Sequence, residues 1–160
     1  MREQKRVLIG GIIGIVIATA AFAIYYVVTL STTFQKAVLD EVDNVDNAYL
    51  QIVRVPKSTE TNEDVLTHIM DMNGFQEISN QLSGLELKKV DRPINDSNSA
   101  YTYTIYIRNK SDNSEVVSFG IDNSKQITIG NSKGYQRYEV SNSFDYEAFR
   151  ASVDKLLTEN

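Results

Sequence analysis

The chain has 160 residues, 42% hydrophobic and 23% charged, with 16 Lys and Arg against 21 Asp and Glu, for a formal net charge of −5. It holds one histidine and no cysteine, which excludes a disulfide scaffold, a lipid-modified Cys anchor and a Cys-His nucleophile, and leaves no donor set for an ordinary zinc site. An acidic chain without a Lys/Arg stripe interleaved with aromatics also argues against a nucleic-acid partner.

Residues 1–6 carry Arg2, Lys5 and Arg6 ahead of an apolar run. From Val7 to Leu30 there are 24 residues without one Asp, Glu, Lys, Arg, His, Asn or Gln. At about 1.5 Å per residue a helix of that length reaches roughly 36 Å, enough to cross a bilayer with some tilt. A buried helix of a soluble domain would carry a polar stripe, and this run has none. Ala21-Phe22-Ala23 has the small-x-small spacing of a leader cleavage site, but "IYYVVTL" keeps the chain apolar beyond it, so the run reads as an uncleaved transmembrane helix over 7–30, with cleavage after Ala23 as the alternative. The basic residues precede the run, and Tyr25 and Tyr26 suit its outer interface. The expectation is a single-pass protein of the cell membrane with its N-terminus cytoplasmic and everything past residue 30 extracellular. That exterior part has 13 basic and 20 acidic residues, a formal charge of −7. Gly10, Gly14 and Ala18, spaced by four, would let two such helices approach closely, which leaves a homo-oligomer open.

Residues 31–46 place Phe34, Val38, Val42 and Val45 at near-helical spacing, predicting a helix that continues past the membrane as a stalk. Asp40, Glu41, Asp43 and Asp46 lack the loop spacing and glycine of a calcium-binding EF-hand and read as solvated charge. From residue 47 to 160 the pattern predicts an extracytoplasmic α+β domain. "AYLQIVRV" is a strand ended by Pro56; "DVLTHIM" reads as a second strand hairpinned to it, with helix as the alternative, and Asp71 or Asn73 then caps the next element. "FQEISNQLSGL" is a helix presenting Phe75, Ile78, Leu82 and Leu85, stopping near Gly84. "LELKKV" is a strand. "YTYTIYI" and "VVSFGI" form a hairpin around "NKSDNS", followed by "QITI" and "YQRYEV" with a turn at Gly130 and Gly134. The last helix has Ser143 as its N-cap and an apolar stripe of Tyr146, Phe149, Val153, Leu156 and Leu157. These elements predict a small antiparallel sheet with two helices packed on one face.

This order of elements, with "NQLSGLELKKV", "YTYTIYI" and "VVSFGI" as its most telling pieces, resembles an uncharacterised family, a domain of unknown function, of small membrane-anchored extracellular domains from low-GC Gram-positive bacteria. The resemblance covers roughly residues 48–157. It implies placement on the outer membrane face and brings no reaction, cofactor or binding residue with it. Family members anchored through a lipidated Cys depart from this chain.

The residues themselves offer little chemistry. A Ser-His-Asp arrangement would have to use His68, which reads as a strand-edge residue, and no glycine loop cradles a phosphate. No catalytic residue, cofactor or metal ligand is therefore assigned. The sheet's wetter face, with Thr102, Thr104, Tyr106, Arg108, Tyr135 and Arg137, mixes aromatic and guanidinium groups as partner-binding surfaces do, although Thr and Tyr also suit any solvated strand. The expected function is a non-catalytic binding or accessory module at the cell surface, with another envelope protein or an extracellular peptide or polymer as partner. The alternatives are an assembly component that oligomerises through its span and stalk, and a small carboxylate-based envelope hydrolase.

Overall fold

The computed structural model describes residues 13–22, 24–25, 30–42, 45–57, 65–92, 100–123 and 125–158. The chain divides into two compact units, Met1–Ser31 and Thr32–Asn160. In the first, residues 13–22 form helix α1, and 24–25 are helical as well. Ile15, Ile17 and Phe22 stand exposed on it. Among the described residues no helix is long and apolar enough to cross a membrane; much of the 7–30 run, Gly10 included, lies outside them. Gly14 and Ala18 fall within α1, and a Cβ on Gly14 would meet nothing within 4 Å.

The second unit is α+β. Its strands are β1 (Ser31–Thr33), β2 (Ala48–Pro56), β3 (Leu66–Asp71), β4 (Glu86–Val90), β5 (Tyr101–Asn109), β6 (Glu115–Asn123), β7 (Gln126–Asn131) and β8 (Gly134–Val140). They form one 8-stranded sheet in the order β1-β4-β8-β7-β6-β5-β2-β3. Every pair with a resolved register is antiparallel. Strand alternation sorts the side chains cleanly. Leu50 and Ile52, Tyr103, Ile105 and Ile107, Val117, Phe119 and Ile121, and Ile127 and Ile129 are all buried on one face.

Helices α3 (Phe75–Leu82) and α4 (Tyr146–Thr158) bury Phe75, Ile78 and Leu82, and Phe149, Val153, Leu156 and Leu157, in that same core. The two predicted helices thus share one face of the sheet, and their stripes are the ones that periodicity picks out. The start of α4 corrects the sequence reading: Asp145, not Ser143, is the cap, its Oδ1 accepting from the Ala148 N–H at 2.9 Å. A carboxylate in that place also complements the positive helix end. Neither Asp71 nor Asn73 caps α3, whose N-cap is Gly74; Asp71 instead caps the turn Met72–Gly74 ahead of it, accepting from Asn73 N–H at 3.0 Å. Residues 66–71 are indeed a strand, paired with β2 from Tyr49↔Asp71 to Arg54↔Leu66.

The segment expected to be a stalk is instead part of the folded body. β1 lies beside β4, the short helix α2 (Phe34–Ala37) follows it directly, and a 3-10 turn covers Leu39–Glu41. Phe34 and Val38 are fully buried, and the Phe34 ring meets Phe119 edge-on at 5.0 Å between centroids. Phe34 N–H donates to the Leu85 carbonyl at 3.0 Å, tying this segment to the chain that enters β4. The near-helical spacing of Phe34 and Val38 was a packing signal whose partner is the sheet, not a second stalk. That is why four helical residues suffice where sixteen stalk residues were expected.

Candidate functional site

With both helices on one side, the opposite face of the sheet is left uncovered by any described helix or strand of the second unit. The residues singled out from sequence all project there, and the register brings them into two adjacent rows. One row runs Tyr106↔Ser118↔Gly130↔Tyr135; the next runs Thr104↔Gly120↔Thr128↔Arg137. Thr102 and Arg108 flank these rows on β5. Neighbouring strands lie about 4.8 Å apart, so Tyr106 and Tyr135 are separated by roughly 14 Å. Between them the two middle strands contribute only Ser118, Gly120, Thr128 and Gly130. The result is a shallow trough of small side chains between two aromatic groups, with the Tyr135 ring covering its Gly130 end.

Tyr135 is the most exposed aromatic group of the domain, at 75%. Its ring lies over Gly130: a Cβ there would stand 2.5 Å from Tyr135 Cε1 and 2.7 Å from Ser118 Oγ. Glycine is required at this point by close approach, not by backbone conformation, whereas Gly134, at φ +107°, is required by the hairpin turn itself. The sequence reading of both glycines as one turn is therefore half right. Ser118 is buried and donates to Glu115 Oε1 at 2.7 Å.

Arg108 differs from the others. Its Nε donates to Gln51 Oε1 at 3.0 Å, its Nη1 to the Asn113 carbonyl at 3.1 Å, and its guanidinium lies 5.1 Å from the Tyr106 ring centroid. Asn113 is the one non-glycine residue of the described chain at positive φ, 61°, and Tyr49 Oη donates to its side-chain oxygen. Arg108 thus fixes the β5–β6 turn. In that turn Asp112 accepts from Ser114 Oγ and N–H, which hold its carboxyl below the usual range. Arg137, by contrast, is exposed and carries the trough's available positive charge.

On the helical side, the sequence reading missed a polar cluster. Asp154 of α4 accepts from Arg54 Nη1 at 3.0 Å and from Tyr103 Oη at 3.1 Å, while the Arg54 guanidinium sits 4.5 Å from the Tyr101 ring centroid. Burial works against the Arg54 charge, but the hydrogen bond and charge of Asp154 outweigh it and hold its pKa above the usual value. The signal was present in the strand alternation: Arg54 shares parity with Leu50 and Ile52 and so had to face α4. Lys89 of β4 likewise shares parity with buried Leu87 and lines a cavity on this side with Lys133, Glu41 and Tyr138. His68 lies on the edge strand β3, half-buried. Among the described residues no group of three or more His, Asp or Glu could hold a metal ion.

Fold and site together define a class: a one-sided α+β domain with a helix-covered face and an open, aromatic-flanked sheet face. No family model, no curated protein and no solved structure matches the chain.

Proposed function

We propose that the chain is a single-pass membrane protein whose extracytoplasmic domain is a non-catalytic binding module, taking an extended segment of another envelope protein or an extracellular peptide or polymer along its open sheet face. The observation that carries this is the trough between Tyr106 and Tyr135. Its rings and the exposed Arg137 are the residue types that dominate binding energy at interfaces, and the small side chains of Gly120 and Thr128 beside them leave room for an extended chain. Placement outside the cell rests on the apolar run 7–30, the basic residues before it and the resemblance to membrane-anchored extracellular domains.

The test is photo-crosslinking in cells with a photoreactive residue at position 135 or 106, compared with position 147 on the exposed side of α4. The expected result is one dominant adduct from the sheet-face positions, absent from position 147 and lost on Tyr135→Ala/Arg137→Ala substitution around the remaining probe. Equal adduct patterns from both faces would sink the reading.

A further inference from the structure

A cavity of about 360 Å³ opens on the helical side of the sheet, where the segment 32–41 passes over the β7–β8 hairpin. That volume lies within the range of small-molecule sites, roughly 300–1,000 Å³. Its polar lining includes Thr32, Glu41, Lys89, Lys133, Gln136 and Tyr138, and Tyr135 of the trough reaches it as well. Two ammonium groups against one carboxylate make it locally positive inside a domain of formal charge −7, so its charge runs against that of its surroundings. Among the described residues neither Lys89 nor Lys133 forms a side-chain hydrogen bond or an ion pair. Both are exposed enough to swing toward a ligand. Burial holds the Tyr138 phenol above its usual pKa, keeping it a neutral hydrogen-bond donor.

The position of the cavity along the chain narrows the ligand. Thr32 is two residues past Leu30, the last of the apolar run, and two residues of extended chain reach at most about 7 Å. A bilayer's headgroup layer is itself about 5–7 Å deep on each side. If the run crosses the membrane, the cavity's Thr32 wall is held by covalent reach at the headgroup level.

We infer that this cavity binds the phosphate-bearing headgroup of an anionic glycerophospholipid, with Lys89 and Lys133 on the phosphate and the Thr32, Gln136 and Tyr138 side chains on the headgroup hydroxyls. A soluble glycerophosphate offers the same chemistry; the lipid is the source argued here because the tether presents it. The inference rests on the membrane reading proposed above; the cavity shares Tyr135 with the trough, and its two lysines do not belong to the trough.

The experiment uses the full chain reconstituted into phosphatidylcholine vesicles with and without phosphatidylglycerol, some of it carrying a photoreactive headgroup. Flotation reads the anchor and mapped crosslinks read the cavity. The expected result is flotation with either lipid mixture and headgroup crosslinks concentrated in residues 129–138 and around Lys89. Lys89→Gln/Lys133→Gln should lower crosslinking about tenfold without altering flotation. Lys88→Gln/Lys155→Gln, which removes two exposed charges elsewhere, should leave it unchanged. Crosslinking that survives the first pair, or falls equally with the second, overturns the headgroup site while the anchor stands. Displacement of the lipid by millimolar glycerol 1-phosphate overturns the lipid source. Failure to float in either mixture overturns the anchor and the headgroup site with it.

Discussion

Tyr103 is the largest fully buried side chain of the domain, and its hydroxyl is satisfied by Asp154. Burial, and then the charge and hydrogen bond of Asp154, push its phenol well above the ordinary value of 10.0. The folded state therefore holds this proton more tightly than the unfolded chain does. The resulting stability is complete below pH 10 and is lost as pH climbs from there toward the raised folded value. Tyr103→Phe should cost about 1.5–3 kcal/mol at pH 7, the worth of a hydrogen bond to a charged group. Above pH 10 the gap should narrow, because the variant lacks the group that titrates. Urea unfolding of the full chain in detergent across pH 7 to 11 measures this, and a pH-independent gap would refute the assignment. Gly130 supports a second expectation. Gly130→Ala should displace the exposed Tyr135 ring at a stability cost of only about 1–2 kcal/mol, yet remove the crosslinks expected at the trough. Loss of folding instead would mean that Ser118, not Tyr135, absorbs the clash.

At the level of elements, what sequence made legible was local. Period-two alternation identified β5 to β8 and their buried faces, and the 3.6-residue stripe identified α3 and α4, because in each case one element's own side chains carry the pattern. Residues 31–42 were misjudged for the complementary reason: Phe34 and Val38 give a stripe, but nothing local says that it docks on Phe119, 85 residues on. The cap of α4 was placed two residues early because Ser143 and Asp145 are both good caps, and only the hydrogen bond to Ala148 distinguishes them. If the segment is core, Phe34→Ala should destabilise the domain by about 3–5 kcal/mol, the usual cost of emptying a buried phenylalanine site. A free spacer would give a change near zero. Chemical denaturation of the two full-length chains decides between them.

At the scale of the whole molecule, strand order was the part that sequence could not supply. β4 and β5 are consecutive in the chain, yet β8, β7 and β6 lie between them, because β4 pairs with β8 from Leu87↔Val140 to Val90↔Arg137. That non-local pairing carries Lys89 to the helical-side cavity and leaves β3 as one sheet edge. The trough was legible because its residues sit on β5 and β8, whose alternation turns them away from the core whatever the order; their meeting in common rows was not. Sidedness is the last property that the whole chain should obey. Arg2, Lys5 and Arg6 precede the apolar run, whereas Lys36 alone follows it closely amid Asp40 and Glu41, and such an asymmetry of positive charge sets topology. Protease added to intact protoplasts should therefore remove the domain and spare a tag placed ahead of Arg2. Replacing Arg2, Lys5 and Arg6 with Gln should produce a protected fraction, since the bias that orients the segment is then gone. Complete protection of the unaltered chain would put the domain on the inner side, and the trough would then need a cytoplasmic partner.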